Sequence, residues 1–253
     1  MRVATWNLDH ASNGNRPIEL QISRIMELAP DILVLTETCE QVALTRHGYE
    51  FVASHKNGYG KYDAMIWTKP PIKIIPKIHS TSDAESAVCA QLSTPLGELM
   101  VYGTIIPYHG YKGKAGTSAA WQEHYNAIER QGSDWTRIGQ EARLPLIVAG
   151  DFNQTRDGSS RTYGTKYGRL LLSEQLDKSG LACITTENFA DNGKLKKDPA
   201  KDRARNNVDH ICVTANVFEV AAVGAWDHFT DEGVYLSDHN GVYVDLIRTS
   251  SHA

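Results

Sequence analysis

The feature that most constrains the fold is an apolar run at 144–149 that leads directly into Gly-Asp-Phe-Asn at 150–153. A short run rich in Leu, Ile and Val is typical of a buried β-strand. Glycine lets the backbone turn without a Cβ clash, so the strand is expected to end at Gly150. Asp151 and Asn153 would then lie at an open edge of a sheet, where they can form a polar site.

A second segment, Ser-Asp-His-Asn at 237–240, lies near the end of the chain and places Asp238 beside His239. Imidazole is the side chain whose unperturbed pKa lies near neutral pH. An acid, an amide and an imidazole can together orient a water, hold an anionic substrate and move a proton. The two segments are therefore interpreted as halves of one hydrolytic site.

Further carboxylates lie at the ends of other expected strands. Residues 1–9 are expected to form a first strand with Asn7 and Asp9 on one face, because strand side chains alternate. A buried strand is expected to end in Glu37, and a late strand to begin at or near Asp209. These strands would bring an amide and three more acids to the same cleft.

Such a cleft would concentrate negative charge from Asp9, Glu37, Asp151, Asp209 and Asp238. Two of these charges about 4 Å apart repel by roughly 4 kcal/mol at an effective dielectric near 20. A hard divalent cation would offset the repulsion, and oxygen ligands with an amide suit Mg²⁺ or Mn²⁺ better than Zn²⁺. The alternative is that some of the acids are protonated.

The remaining pattern alternates helices and strands. Helices are expected over 17–28, with Asn15 as the cap, and over 117–140 and 167–179. Strands are expected near 32–35, 62–67, 72–78, 87–92, 99–106, 208–214, 217–223 and 241–246. Mixed strands with few helices fit stacked sheets flanked by helices.

Five short motifs in this chain resemble the endonuclease/exonuclease/phosphatase family of metal-dependent phosphoesterases. They are Trp-Asn, Thr-Glu, Gly-Asp-Phe-Asn, Val-Asp-His and Ser-Asp-His, and they follow the family's order between Asn7 and His239. Each motif is short, and the resemblance rests on their order and spacing. It implies an α/β fold, a four-layered α-β-β-α sandwich of two mixed β-sheets flanked by helices.

The resemblance also implies how the site holds a metal. Glu37 and Asn7, with Asp9 as a further candidate, would bind the main Mg²⁺ or Mn²⁺ ion. Asp238 would share that ion or bind a second one. We expect one or two metals, and the sequence does not separate these alternatives.

Catalytic roles are implied for four residues. Asp151 would orient and deprotonate the attacking water, and Asn153 would donate a hydrogen bond to a phosphate oxygen. His239 would contact the phosphate or transfer a proton, and Asp209 would fix its tautomer and charge. Loss of such a member commonly lowers the rate by orders of magnitude.

One position departs from the family's pattern. Many relatives have a His or Tyr in the strand before the central helix, where this chain has Ile105 or Ile106. Tyr108 or His109 in the following loop could take this place, and a metal-bound water is the alternative. The acid that protonates the leaving group is therefore left open.

A basic segment at 194–205 runs into the strand that begins near Asp209. It carries six basic residues, which are Lys194, Lys196, Lys197, Lys201, Arg203 and Arg205. The segment is expected to grip phosphate beside the cleft, with Arg203, Arg205, Tyr108 and His109 as candidate substrate contacts. The competing interpretation is a solvated loop without such a role.

Length and charge limit the possible partners. The 253 residues suit one domain over 1–253, and a net charge of −4 requires any nucleic-acid binding to be local. Four scattered cysteines and the absence of a long apolar run predict reduced thiols in a soluble cytoplasmic protein that does not insert into a membrane. The sequence leaves the oligomeric state open, and a monomer is plausible.

The expected function is Mg²⁺-dependent hydrolysis of a phosphodiester, with DNA or RNA as the leading substrate. One alternative is a small-molecule phosphatase or phosphodiesterase acting on a nucleotide, sugar phosphate or inositol phosphate. Another is a catalytically idle binding module, motivated by the apolar Ile105 and Ile106. Metal-dependent turnover separates the last alternative from both enzymes.

Overall fold

The structure is a computed structural model that describes residues 1–11, 17–158, 162–201 and 203–249, without the side chains of residues 77 and 78. Its strands are β1 (Arg2–Asn7), β2 (Ile32–Thr38), β3 (Glu50–Ala53), β4 (Tyr62–Thr68), β5 (Lys73–His79), β6 (Ala87–Thr94), β7 (Gly97–Ile105), β8 (Leu146–Asp151), β9 (Leu181–Cys183), β10 (Asp209–Thr214), β11 (Phe218–Trp226) and β12 (Gly241–Arg248). Its α-helices in the described ranges are α1 (Ile18–Leu28), α2 (Gln122–Ala142) and α3 (Lys166–Lys178).

These strands form two mixed sheets of six strands each. Sheet A has the order β11-β12-β1-β2-β4-β3, and sheet B has the order β5-β6-β7-β8-β10-β9. In sheet A, β1 and β2 run parallel and the other neighbours run antiparallel. In sheet B, β7 and β8 are the parallel neighbours. Helices α1 and α2 connect the two parallel pairs.

Three groups of buried residues show that the layers stack in the order helix, sheet, sheet, helix. The central group joins the facing sides of both sheets, for example Val34 and Ile66 of sheet A with Val101 and Ile147 of sheet B. A second group joins sheet B to α2 and α3, and a third joins sheet A to α1. The four-layered sandwich of two mixed sheets with flanking helices is therefore confirmed.

Several predicted boundaries are wrong in detail. Helix α2 begins at Gln122 and not at 117, because Trp121 has a left-handed backbone with φ 67°. The predicted cap Asn15 lies outside the described residues, and Pro17 occupies the N-cap position of α1. The short strands β3 and β9 were not predicted. Among the described residues, no helix combines the length and apolar character needed to cross a membrane. All four cysteines are free.

Candidate active site

Strand β8 places Asp151 at its carboxyl end in sheet B, and only a glycine fits at the position before it. Gly150 has φ 145°, and a Cβ built on it would lie 1.8 Å from the carbonyl oxygen of Thr104 on the parallel strand β7. The close approach lets β7 and β8 stay in register up to the pair Ile105 and Asp151. Asp151 is 1% exposed, so a carboxylate is placed at the bottom of the site.

The carboxylate of Asp151 is held by nitrogen donors. Its Oδ1 accepts a hydrogen bond from the backbone N–H of Asn153 at 2.8 Å. Its Oδ2 accepts from Nδ2 of Asn153 at 2.8 Å and from Nδ2 of Asn7 at 3.1 Å. Burial nevertheless raises the pKa of Asp151 to about 8, and the neighbouring His239 opposes the rise. The group therefore has a high affinity for a proton.

Asn153 lies beside Asp151 with its amide fully engaged. Its backbone is left-handed, with φ 48°, which turns the side chain back towards Asp151. The second amide hydrogen goes to the carbonyl of Ile106 at 3.0 Å. Contact with a phosphate oxygen, as the sequence predicted for Asn153, would have to replace one of these two bonds.

His239 and Asp209 form a buried pair opposite Asp151. Nδ1 of His239 lies 2.7 Å from Oδ2 of Asp209, the residue that begins β10 and pairs with Asp151 in the sheet register. Burial alone would lower the pKa of His239, but the carboxylates of Asp209 and Asp151 outweigh it and bring the pKa to about 10. The imidazole is therefore positively charged at neutral pH in this arrangement.

The segment 237–240 is fixed to the end of β1 by hydrogen bonds. The hydroxyl of Ser237 donates to the carbonyl of Asn7 at 2.6 Å and accepts from the N–H of His239 at 3.0 Å. The indole of Trp6 donates to the carbonyl of His239 at 2.7 Å. These bonds explain how residues 230 positions apart come to share one site.

Glu37 faces the same cleft from sheet A. Its backbone is left-handed, with φ 47°, and its side chain is 23% exposed. Burial raises the pKa of Glu37, and the nearby His10 opposes the rise. Nε2 of His10 lies 3.1 Å from Oε2 of Glu37. Sequence reasoning missed His10, because no motif marks it.

Asp9 lies apart from this group, contrary to the expected alternation with Asn7. Strand β1 ends at Asn7, and Asp9 and His10 have left-handed backbones with φ 48° and 53°. The N–H of Asp9 donates to Oδ1 of Asn7 at 2.9 Å, which forms a turn. The period-two pattern therefore stops before Asp9, and Asp9 does not line the cleft.

The cleft has a volume of about 470 Å³ and two chemically different walls. Its lining includes Glu37, Asp151, Asn153, Asp238 and His239, the aromatic Tyr108 and Tyr163, and the basic Lys201, Arg203 and Arg205. Asn7 and Asp209 lie just behind this lining. His109 is exposed and reaches the site through Tyr163, with 3.0 Å between its Nδ1 and the tyrosine hydroxyl.

The basic wall is tied to the segment that carries His239. Arg205 lies 3.2 Å from Oδ2 of Asp238, and the amide of Asn240 donates to the carbonyl of Arg205 at 3.0 Å. Oδ1 of Asp238 lies 3.7 Å from Nε2 of His239. The predicted residues Arg203, Arg205 and Asp238 therefore meet at one side of the cleft, with Lys201 added by the structure.

Tyr163 is the lining residue that sequence reasoning missed most clearly. It follows the Asp151 motif by 12 positions in a loop rich in Gly, Ser and Arg, and no local pattern marks it. Burial raises its pKa, so the hydroxyl stays protonated at neutral pH. Its proximity to His109 depends on a contact between residues 54 positions apart.

The carboxylates of the cleft fit a divalent cation. Asp151, Asp209 and His239 each have one ligand atom within 4.8 Å of the others, and Oδ1 of Asp209 is buried without a hydrogen-bond partner. Glu37 and Asp238 add carboxylates on the sheet A side of the cleft. A site with this many oxygen ligands suits a hard ion.

Fold and site together define a phosphoester hydrolase: two stacked mixed sheets with acids, amides and an imidazole in a cleft at their common edge. A model of the Endonuclease/Exonuclease/phosphatase family matches residues 4–239, and the chain belongs to this family. Enzymes of the family generally use divalent metal ions. No curated protein sequence matches the chain.

Three solved structures illustrate the likeness in fold. The human Nocturnin catalytic domain with bound sulfate is 21% identical, with a TM-score of 0.67, and the match covers 98% of this chain and 94% of that chain. The endonuclease domain of TRAS1, a telomere-specific non-LTR retrotransposon, is 18% identical, with a TM-score of 0.65, and 98% and 99% are covered. D. rerio TDP2 complexed with single strand DNA product is 17% identical, with a TM-score of 0.67, and 98% of each chain is covered.

Proposed function

We propose that this protein is a divalent-metal-dependent phosphodiesterase that acts on nucleic acid. The observation that carries the proposal is the cleft itself, which is lined by Asp151 and His239 together with Arg203 and Arg205. Proton-transfer groups and phosphate-binding cations are thereby placed around one small volume. Two of the similar structures are named for an endonuclease and for a DNA product, which supports nucleic acid as the substrate.

In the proposed reaction, Asp151 takes the proton of the attacking water. Once deprotonated, it is a stronger base than an ordinary carboxylate because its pKa is raised, and its two oxygens are oriented by Asn7 and Asn153. The charged His239 donates a hydrogen bond from Nε2 to a phosphate oxygen, while Asp209 holds Nδ1. Preorganised donors of this type stabilise the charge that develops in the transition state.

Glu37, Asn7 and Asp238 would hold Mg²⁺ or Mn²⁺ at the sheet A side of the cleft. A bound ion would neutralise phosphoryl charge and stabilise the leaving oxygen. His10 now lies against Glu37, and its imidazole is a counter-charge for that carboxylate when it is protonated. The backbone N–H of Asp9 would help to orient Asn7 through the turn at the end of β1.

The leaving group would receive its proton from the aromatic side of the cleft. Ile105 and Ile106 offer no acidic hydrogen, whereas Tyr163 lines the cleft with a protonated hydroxyl. His109 contacts that hydroxyl at 3.0 Å and can replace its proton. Of the two residues that the sequence suggested, His109 would act through Tyr163, and Tyr108 lies free on the rim.

A substrate panel tests the proposal. Single-stranded DNA, duplex DNA, RNA, mononucleotides and inositol phosphates are incubated with Mg²⁺, Mn²⁺ or a chelator, using wild type and Asp151→Asn. We expect metal-dependent cleavage of an oligonucleotide that is lost in Asp151→Asn. Turnover confined to mononucleotides or inositol phosphates would favour the small-molecule enzyme, for which a 470 Å³ cleft leaves room. Absence of turnover with every substrate would favour the binding module.

A further inference from the structure

Tyr108 and Tyr163 line the cleft and belong to a continuous group of aromatic rings, which we call the aromatic wall: Tyr108, His109, Trp121 and Tyr163. The ring centroids are separated by 5.9 Å for Tyr108 and His109, by 6.1 Å for His109 and Tyr163, and by 5.5 Å for Trp121 and Tyr163. These distances are typical of packed aromatic pairs. Each ring of the aromatic wall therefore packs against at least one other ring, which restricts its movement.

Tyr108 is the outermost ring of this wall and the one that remains open. It is 51% exposed and lines the cleft. A Cβ built on Gly110 would lie 2.8 Å from Cε2 of Tyr108, so the ring lies close over the backbone of Gly110. The glycine leaves space for the ring beside the loop, and about half of the residue remains exposed to a ligand.

The cations Lys201, Arg203 and Arg205 also line the cleft. A ligand that fills the cleft therefore meets both positive charge and an aromatic ring. Phosphate suits the cations, and a flat ring system suits the aromatic wall, because stacking on an aromatic side chain suits every nucleobase. A nucleotide unit has both groups, whereas a sugar phosphate or an inositol phosphate has no flat ring.

We propose that Tyr108 stacks the nucleobase next to the scissile phosphate, and that the enzyme therefore selects nucleotides that are unpaired at the cleavage site. This inference rests on the proposed function. A paired base in a duplex has its faces covered by its neighbours, and exposing one requires unstacking. The cleft of about 470 Å³ has room for a nucleotide unit. Single strands and unpaired ends avoid the unstacking step.

The test combines a change in the protein with a change in the substrate. The substrates are short single-stranded oligonucleotides in which one phosphodiester is cleavable and the other linkages are phosphorothioates. Matched substrates have an abasic tetrahydrofuran unit on either side of the cleavable bond, and one substrate is the same sequence in a duplex. The proteins are wild type, Tyr108→Ala, Tyr108→Phe and Tyr167→Ala. Tyr167 is a matched control, because it is a tyrosine with 55% exposure on α3 that does not line the cleft.

We expect Tyr108→Ala to lower kcat/KM for the intact single strand on the order of five- to a hundredfold, as for other base–aromatic stacks. Tyr108→Phe retains the ring and should stay within about twofold of wild type, because stacking does not use the hydroxyl. Tyr167→Ala should match wild type. Removal of one flanking base should lower the wild-type rate by a similar factor and have little further effect in Tyr108→Ala, because the two changes remove one interaction.

Other outcomes would overturn the inference while leaving the proposed function intact. These are equal cleavage of the single strand and the duplex by wild type, a full additional loss from the abasic unit in Tyr108→Ala, or faster cleavage of the abasic substrate. A loss in Tyr108→Phe as large as in Tyr108→Ala would assign the effect to the hydroxyl and not to stacking. If wild type cleaves none of the oligonucleotides, the proposed function itself fails.

Discussion

Sheets A and B have the same arrangement of parallel and antiparallel strands but contribute different chemistry to the cleft. In each sheet an antiparallel hairpin lies beside a strand that continues through a helix to its parallel neighbour, and two further strands complete the sheet. The hairpin is β11 and β12 in sheet A, and β5 and β6 in sheet B. The parallel pair is β1 and β2 in sheet A, and β7 and β8 in sheet B. Equivalent strand ends therefore meet at one edge of the sandwich.

The ends of the two parallel pairs differ in polarity and burial. In sheet A, β1 ends in Asn7, and Glu37 is the second-last residue of β2, with its side chain 23% exposed. Sheet B ends in Ile105 and Asp151, and Asp151 is 1% exposed. The buried acid needs amide donors, and it takes them from Asn153 and from Asn7 of the other sheet. Proton transfer is therefore expected at sheet B and cation binding at sheet A.

The largest difference is expected between the two acids themselves. Asp151→Asn should lower kcat by about a thousandfold or more at saturating Mg²⁺, because no carboxylate remains to accept the proton of water. Glu37→Gln should instead raise the Mg²⁺ concentration needed for half-maximal rate, with part of the rate recovered at high metal. Steady-state kinetics over a metal titration measures both. If added metal changed the rates of the two variants equally, the assignment of proton transfer to sheet B and cation binding to sheet A would be wrong.

The sequence predicted the parts of this comparison that local patterns encode. Strand β8 was predictable because an apolar run ends in a glycine, and Glu37 because a buried strand precedes it. The end of β1 was not, because the left-handed turn at Asp9 depends on contacts to β2, such as the bond from the N–H of His10 to the carbonyl of Glu37 at 3.0 Å. Alternation alone therefore placed Asp9 wrongly.

Other parts of the cleft depend on contacts between distant segments. Tyr163 and His10 carry no motif, and they reach the site only when loops from different strands meet. Strands β3 and β9 have four and three residues, too few to show a period in the sequence. The central motifs were therefore predictable, whereas the residues around them were predictable only in part, as Tyr108, Arg203 and Arg205 show.

Asp209→Asn tests whether sheet B also controls the imidazole. An amide at this position offers no negative charge to His239, so the imidazole should lose its charge and its fixed tautomer. We expect kcat to fall roughly 10²- to 10⁴-fold, with the loss greatest at alkaline pH. Asp231→Asn is the control, since its carboxylate is 78% exposed and pairs with Lys196 away from the cleft. A flat pH dependence identical to wild type would argue that Asp209 only fills space.

Gly150→Ala should separate sheet register from chemistry. Its Cβ would overlap the carbonyl of Thr104, so β7 and β8 would have to move apart near Asp151. We expect the free energy of unfolding to fall by roughly 3 kcal/mol or more. Gly139→Ala is the counterpart in α2, with no atom within 4 Å of the added Cβ, and it should raise stability by about 0.5 to 1 kcal/mol. Urea unfolding measures both. If the Gly150→Ala protein were as stable as wild type, β7 and β8 would be able to move apart at little cost in free energy.

The last expected effect is a pH dependence of stability that arises at sheet B. In the metal-free protein the folded pKa of Asp151 is about 8, above its usual 3.8, so its contribution is complete below pH 3.8 and is lost as the pH rises through 8. The folded pKa of His239 is about 10, above 6.5, so its contribution is complete below pH 6.5 and disappears as the pH rises through 10. Both signs are the same, so the unfolding free energy should fall as the pH rises from 6.5 to 10. Thermal unfolding in the presence of a chelator, followed by circular dichroism, measures this pH dependence.

Asp151→Asn should flatten the slope of stability against pH. The variant lacks one titrating group and also one of the charges that raise the pKa of His239. Glu37→Gln should leave most of the slope. Equal slopes in the two variants would mean that Glu37 of sheet A contributes as much to the pH dependence as Asp151 of sheet B.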